Sequence, residues 1–160
     1  MSENSAFKDL LSIFNAGQVR YLIVGGYAVM KYAEPRYTKD LDVWIETTGE
    51  NASRVFHALR KFGAPLSDLT EEDLTQEGMV FQIGVAPNRV DILMGINGVR
   101  FSDAWSKRVE GDFDAAPAHF ISRSDLIVAK RAAGRPQDLI DADVLSLAED
   151  LNITPDEDAS

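Results

Sequence analysis

The chain has 160 residues, no cysteine, two histidines and a formal charge of -10. That length suits one domain with its own core and is short for two, while the missing cysteine excludes disulfides, thiolate metal sites and thiol nucleophiles. The acid excess is concentrated in residues 68–77 and 149–160, each with five acids and no base, so the rest of the chain is balanced and nucleic acid is not excluded as a partner.

Phe7, Leu10, Leu11 and Phe14 recur at i, i+3, i+4 and i+7 ahead of Gly17, which predicts a first amphipathic helix. "VRYLIVGG" reads as a short strand ending in two glycines, and "YAVMKYA" as two helical turns closed by Pro35. "KDLDVWIE" is a second strand, followed by a helix through Ala52, Val55, Phe56 and Leu59 that Gly63 and Pro65 stop. "MVFQIGV" and "RVDILMG" form a hairpin in which Pro87 and Asn88 turn the chain. In the mixed stretch that follows, Ala104 to Val109 is read as one short helix. Ser122, three residues ahead of Asp125, announces a helix through "LIVAKRAAG". Pro136 opens the last helix, with an apolar face of Ile140, Val144, Leu147, Ala148 and Leu151. Residues 1–151 are expected to form one domain, and 152–160 a disordered acidic tail. No apolar run is long enough to span a bilayer and residues 1–17 do not read as a secretory leader, so a cytoplasmic location is expected.

Chemistry concentrates where the first two strands meet. Residues two apart on a strand share a side, so Asp40 and Asp42 project together and repel unless a cation lies near them. Such a sparse set suits Mg2+, which takes one or two carboxylates and completes its shell with water and phosphate oxygens. Asp91, in "RVDIL", is a third carboxylate that joins them if its strand lies alongside. Gly25 and Gly26 end a buried strand and open a helix, where backbone amides receive an anionic phosphate. The spacing is neither GxGxxG nor a Walker loop. Tyr27, Trp44 and Trp105 are either base-stacking residues or core, and Thr38 either a phosphate contact or a β-branched strand residue. His57 and His119 have no visible catalytic partner and are read as surface or structural residues.

Hydrophobic strand, glycine pair, DxD and a third acid on a later strand resemble the pattern of the nucleotidyltransferase superfamily. The segment Arg36, Thr38, Asp40, Leu41, Asp42 resembles the R-x-T-x-D-L-D of minimal and AbiEii-like bacterial nucleotidyltransferases, over about Tyr21 to Met94. "LIVAKRAAGRPQDLIDADVL" resembles the family's later lysine and R-x-x-D-x-x-D segment. The resemblance implies an α/β (α+β) fold: a small mixed β-sheet flanked by helices, which we expect mainly on one face, with a C-terminal helix pair. It implies Asp40, Asp42 and Asp91 as metal ligands, with Asp91 alternatively the base. Gly25, Gly26, Arg36, Thr38 and Lys130 would be phosphate contacts, and Tyr27, Asp138 and Asp141 accessory residues. The implied activity is Mg2+- or Mn2+-dependent transfer of a nucleoside monophosphate from an NTP to a hydroxyl of RNA such as tRNA, of protein or of a small molecule. A toxin branch would add an antitoxin partner. The alternative is a non-catalytic nucleotide-binding or partner-binding module on the same fold.

Overall fold

Every residue of the strand β1 (Tyr21–Val24) is buried, because apolar neighbours meet it on both faces. The computed structural model describes residues 5–33, 35, 40–84 and 89–150, apart from the side chains of 149 and 150. Around β1 the chain arranges α1 (Ser5–Ala16), α2 (Gly25–Tyr32), β2 (Leu41–Ile45), α3 (Gly49–Phe62), β3 (Val80–Ile83), β4 (Val90–Leu93), α4 (Phe101–Ser106), β5 (Val109–Phe113), β6 (Ala116–Phe120), α5 (Arg123–Ala133) and α6 (Pro136–Asp150). The six strands form one mixed sheet in the order β3-β4-β2-β1-β6-β5. Strand β1 runs antiparallel to β2 and parallel to β6, while β2 and β4 are parallel.

Alternation along the strands divides the core in two. Tyr21, Ile23, Leu41, Val43, Ile45, Val90 and Ile92 meet Phe7, Leu10, Leu11 and Phe14 of α1 and Val55 and Leu59 of α3. Leu22, Val24 and Trp44 point the other way, onto Ala28 and Val29 of α2, Leu126 and Ile127 of α5, and Ala142 and Leu145 of α6. Helices therefore cover both faces rather than mainly one. Strands this apolar need cover on each side, since a sheet with one wet face would alternate apolar with polar residues.

Three further expectations are corrected. The short helix covers 101–106 rather than 104–109, and residues 109–120 form an unforeseen hairpin, β5–β6. Its two-residue turn holds Asp114 and Ala115 at φ 51° and 71°, the left-handed geometry that Asn-Gly would have advertised. On α6 the stripe expected to be inward, Ile140, Val144 and Leu147, is exposed, whereas Asp138, Asp141, Ala142 and Leu145 are buried. Ion pairs from the two aspartates to Lys130 on α5 hold that side inward. The turn at Pro87–Asn88, Leu151 and the acidic tail lie outside the described residues.

One buried side chain ties the sheet to α3. Asn51, 1% exposed, accepts from the Arg20 N–H at 2.8 Å and donates to the Arg20 and Glu46 carbonyls at 3.0 and 2.8 Å. Asn51→Ala would remove three hydrogen bonds to part-buried backbone groups, although the Arg20 carbonyl keeps the Glu46 N–H at 3.3 Å, and a stability loss of about 1–2 kcal/mol is expected in urea unfolding. A loss under about 0.5 kcal/mol would contradict that role.

Candidate active site

The site lies where β1 ends and β2 begins. Antiparallel pairing sets Val24 opposite Asp42, and parallel pairing sets Asp42 opposite Asp91. Both aspartates belong to the sheet face that carries Leu22, Val24 and Trp44, because their strand neighbours Leu41, Val43, Val90 and Ile92 pack on the other. The strand order thus unites the two carboxylates, and Asp40, two residues earlier, joins them through Arg89. The Arg89 guanidinium lies 2.8 Å from Asp40 Oδ2 and, through Nε, 3.2 Å from Asp91 Oδ1.

Gly25 is dictated by this packing. Its φ is +70°, and a Cβ there would stand 2.1 Å from Asp42 Oδ2, so no other residue lets the chain turn into α2 against that carboxylate. Gly26 follows it, buried in the first turn of α2.

A cavity of about 210 Å³ opens beside Gly25 and Asp42, closed across from them by Lys130, Arg135 and Asp138 of the C-terminal helix pair and its connection. Lys130 Nζ reaches Asp141 Oδ2 at 3.1 Å and Asp138 Oδ1 at 3.5 Å, and Arg135 Nε reaches Asp138 Oδ2 at 2.6 Å. Burial works to raise the Asp138 carboxyl, but the Arg135 hydrogen bond and the charges of Lys130 and Arg135 outweigh it and hold the group below its ordinary value. These aspartates position two cations facing Asp42.

Asp42 carries the opposite strain. Burial first, then the charges of Asp91 and Asp40, push its carboxyl from 3.8 up to about 7, against the weaker pull of Lys130 and Arg89. Asp91 Oδ1 is buried without a hydrogen bond, its contact with Arg89 Nε being an ion pair only. An orphaned carboxylate oxygen beside a carboxylate that resists ionising fits a divalent cation. Among the described residues no three acids converge into a ready-made cage, so Asp42 and Asp91 would need water and phosphate oxygens to complete a cation's shell.

The structure therefore brings together Gly25, Asp42, Asp91, Lys130 and Asp138, with Asp40 and Asp141 attached through ion pairs. Arg36 and Thr38 lie outside the described residues. Tyr27 packs edge-on against Phe7 and Phe113, with centroids 6.0 and 5.0 Å away, and Trp44 is buried against Phe101. Neither ring lines the cavity. Two basic residues escaped the sequence reading of the site: Arg89, which stands two before Asp91 and so on its side of the strand, and Arg135, whose three-residue spacing to Asp138 was the available signal.

A glycine turn pressed onto a DxD strand, with a third aspartate in register beside it, defines the class. The chain belongs to the family described as nucleotidyltransferase of unknown function (DUF6036), which it matches over residues 4–154, and it is accordingly a nucleotidyltransferase. Among solved structures it is similar to the lincosamide antibiotic adenylyltransferase LnuA in its lincomycin-bound form, at 14% identity and a TM-score of 0.56 over 91% of this chain and 97% of that one. It is also similar to ANT(2")-Ia in complex with adenylyl-2"-tobramycin, at 16% identity and a TM-score of 0.59 over 96% of this chain and 94% of that one. At such identities the likeness is one of fold. No sequence among curated proteins matches.

The Asp42 displacement has a measurable sign. A carboxyl raised in the fold stabilises the protein fully below its unfolded value of 3.8, and that contribution is lost as pH rises through about 7. Asp42→Asn cannot ionise, so it is expected to melt higher than the wild type at about pH 8 and to lose much of the decline between about pH 4 and 7. Identical pH slopes in thermal melts of the two proteins would contradict the displacement.

Proposed function

We propose that the chain transfers a nucleoside monophosphate from an NTP to the hydroxyl of a small acceptor, with Mg2+ or Mn2+ held by Asp42 and Asp91 and with Asp40 beside them in its ion pair with Arg89. The observation that carries this reading is the in-register pair Asp42 and Asp91, of which Asp42 lines a cavity together with Lys130 and Arg135. A bound divalent cation supplies charge neutralisation on the phosphates and lowers the pKa of the attacking hydroxyl. Lys130 and Arg135 hold the phosphate chain and offset charge as it develops on the departing pyrophosphate. The turn at Gly25 and Gly26 orients the phosphates toward Asp42. An acceptor oxygen forms a bond to the α-phosphorus, the bond from that phosphorus to pyrophosphate breaks, and the hydroxyl proton passes to solvent water. At about 210 Å³ the cavity is smaller than the roughly 300–1,000 Å³ of most small-molecule pockets, so it suits the phosphates while nucleoside and acceptor lie outside it.

Support for a small acceptor comes from the neighbours: one structure holds lincomycin and another an adenylylated tobramycin, and both chains align with this one over nearly their whole length. RNA, protein and the toxin–antitoxin setting are the competing acceptor classes. Incubating purified protein with each labelled NTP, Mg2+ or Mn2+, and in turn hydroxylated small molecules, total RNA and total protein separates them. Label on a small acceptor, reduced at least about 100-fold in Asp42→Ala, is expected. Label on RNA or protein would replace the acceptor class and leave the chemistry. Mg2+-dependent nucleotide binding without transfer would favour the non-catalytic module, and neither binding nor transfer would contradict the proposal.

A further inference from the structure

A larger cleft, of about 650 Å³, lies at the opposite end of the sheet and takes no part in the proposed chemistry. Arg20 precedes β1, whose far end pairs with Asp42, and β6 runs parallel to β1 with Ile23 beside Phe120, which brings Pro117 to the level of Arg20. Four residues of strand separate this end from the aspartates, about 13 Å. Arg20, Arg54, Arg108, His119 and Trp105 line the cleft, and no carboxylate is among the described residues that do.

Each arginine is anchored by an acid beside the cleft. Arg20 Nη1 meets Glu46 at 3.6 Å, Arg54 Nη2 meets Glu50 at 2.6 Å, and Arg108 Nε meets Glu110 at 2.9 Å. Glu110 also takes His119 Nδ1 at 2.5 Å. Backbone carbonyls of Gln18 and Trp105 engage a further nitrogen of Arg54 and of Arg108. Hydrogen bonds hold the forks of Arg54 and Arg108, while Arg20 makes only a long ion pair, and all three keep part of the five N–H donors that each guanidinium carries. Three guanidinium groups around a cleft of this size, two of them oriented by hydrogen bonds, are suited to phosphate oxygens, which accept paired N–H donors, more than to a point-like anion. Solvating a surface would not require three arginines and an aromatic to converge on one concavity.

We infer that this cleft is a second binding site, for a phosphate-bearing ligand, separate from the carboxylate site. The phosphate belongs either to a free nucleotide or polyphosphate, or to an RNA backbone. Trp105 is a built-in reporter: the guanidinium carbon of Arg108 lies 3.9 Å from its ring centroid and that of Arg20 5.4 Å. The other tryptophan, Trp44, is buried at 2% exposure and can be removed as Trp44→Phe.

The test is emission from the Trp44→Phe protein titrated with pyrophosphate, ATP and a short oligoribonucleotide. Saturable changes are expected, weakened at least about tenfold by Arg20→Ala with Arg54→Ala and retained in Asp42→Asn. These arginine side chains are 49% and 38% exposed, so their replacement spares the core. Arg54→Lys, which keeps charge but loses the fork, is expected to weaken binding as well. Equal responses to pyrophosphate and ATP would identify a free polyphosphate, and tighter oligoribonucleotide binding a backbone. No saturable change with any of the three, or one that survives loss of both arginines, would overturn the assignment. So would a change abolished by Asp42→Asn alone, since it would then report on the carboxylate site.

Discussion

Asp42 and Asp91 face each other across adjacent parallel strands, about 4.8 Å apart by the ordinary spacing of a sheet, in a site partly closed to water. Like charges so placed cannot both ionise at little cost, and several features of the chain answer that repulsion. Arg89 spans Asp40 and Asp91 from the same strand end. Lys130 contributes from α5. Gly25 works the other way, letting the backbone close onto the Asp42 carboxylate and adding to the burial that disfavours its charge. Burial first, and then what remains of that repulsion, displaces the Asp42 carboxyl upward, and a cation would relieve it.

The C-terminal helices follow from the same constraint. Keeping Lys130 and Arg135 facing the carboxylates requires acids behind them, and Asp138 and Asp141, each 3% exposed, fill that place. The inward side of α6 is therefore part polar, and Ile140, Val144 and Leu147 are left outside. A helix arranged for stability alone would bury its apolar stripe. Stability given up near a reactive centre is what a functional site leads one to expect.

Much of this was legible in the sequence because it rests on short periods. Residues two apart on a strand share a face, which united Asp40 with Asp42, and the i, i+3, i+4 spacing of Phe7, Leu10, Leu11 and Phe14 announced α1. The capping serine Ser122, which accepts from the Asp125 N–H, announced α5. What escaped depends on partners distant in the chain. Whether Asp91 reaches Asp42 is a matter of strand order, and local pattern does not encode it. The β5–β6 hairpin hid because Asp114 and Ala115 occupy turn positions that glycine usually marks, and because Pro117 argues against a strand. On α6 the pattern pointed the wrong way, since ion pairs to α5 outweighed the periodicity of leucine, isoleucine and valine.

If Asp42 and Asp91 act together as one cation-binding unit, its occupancy competes with a proton on Asp42. Mn2+ binding followed by electron paramagnetic resonance tests it directly, with the wild type, Asp42→Asn and Asp91→Asn compared at about pH 6 and about pH 8. Binding is expected to weaken about tenfold on going to the lower pH and to be lost in either variant. Binding that persists unchanged in both variants, at either pH, would contradict it.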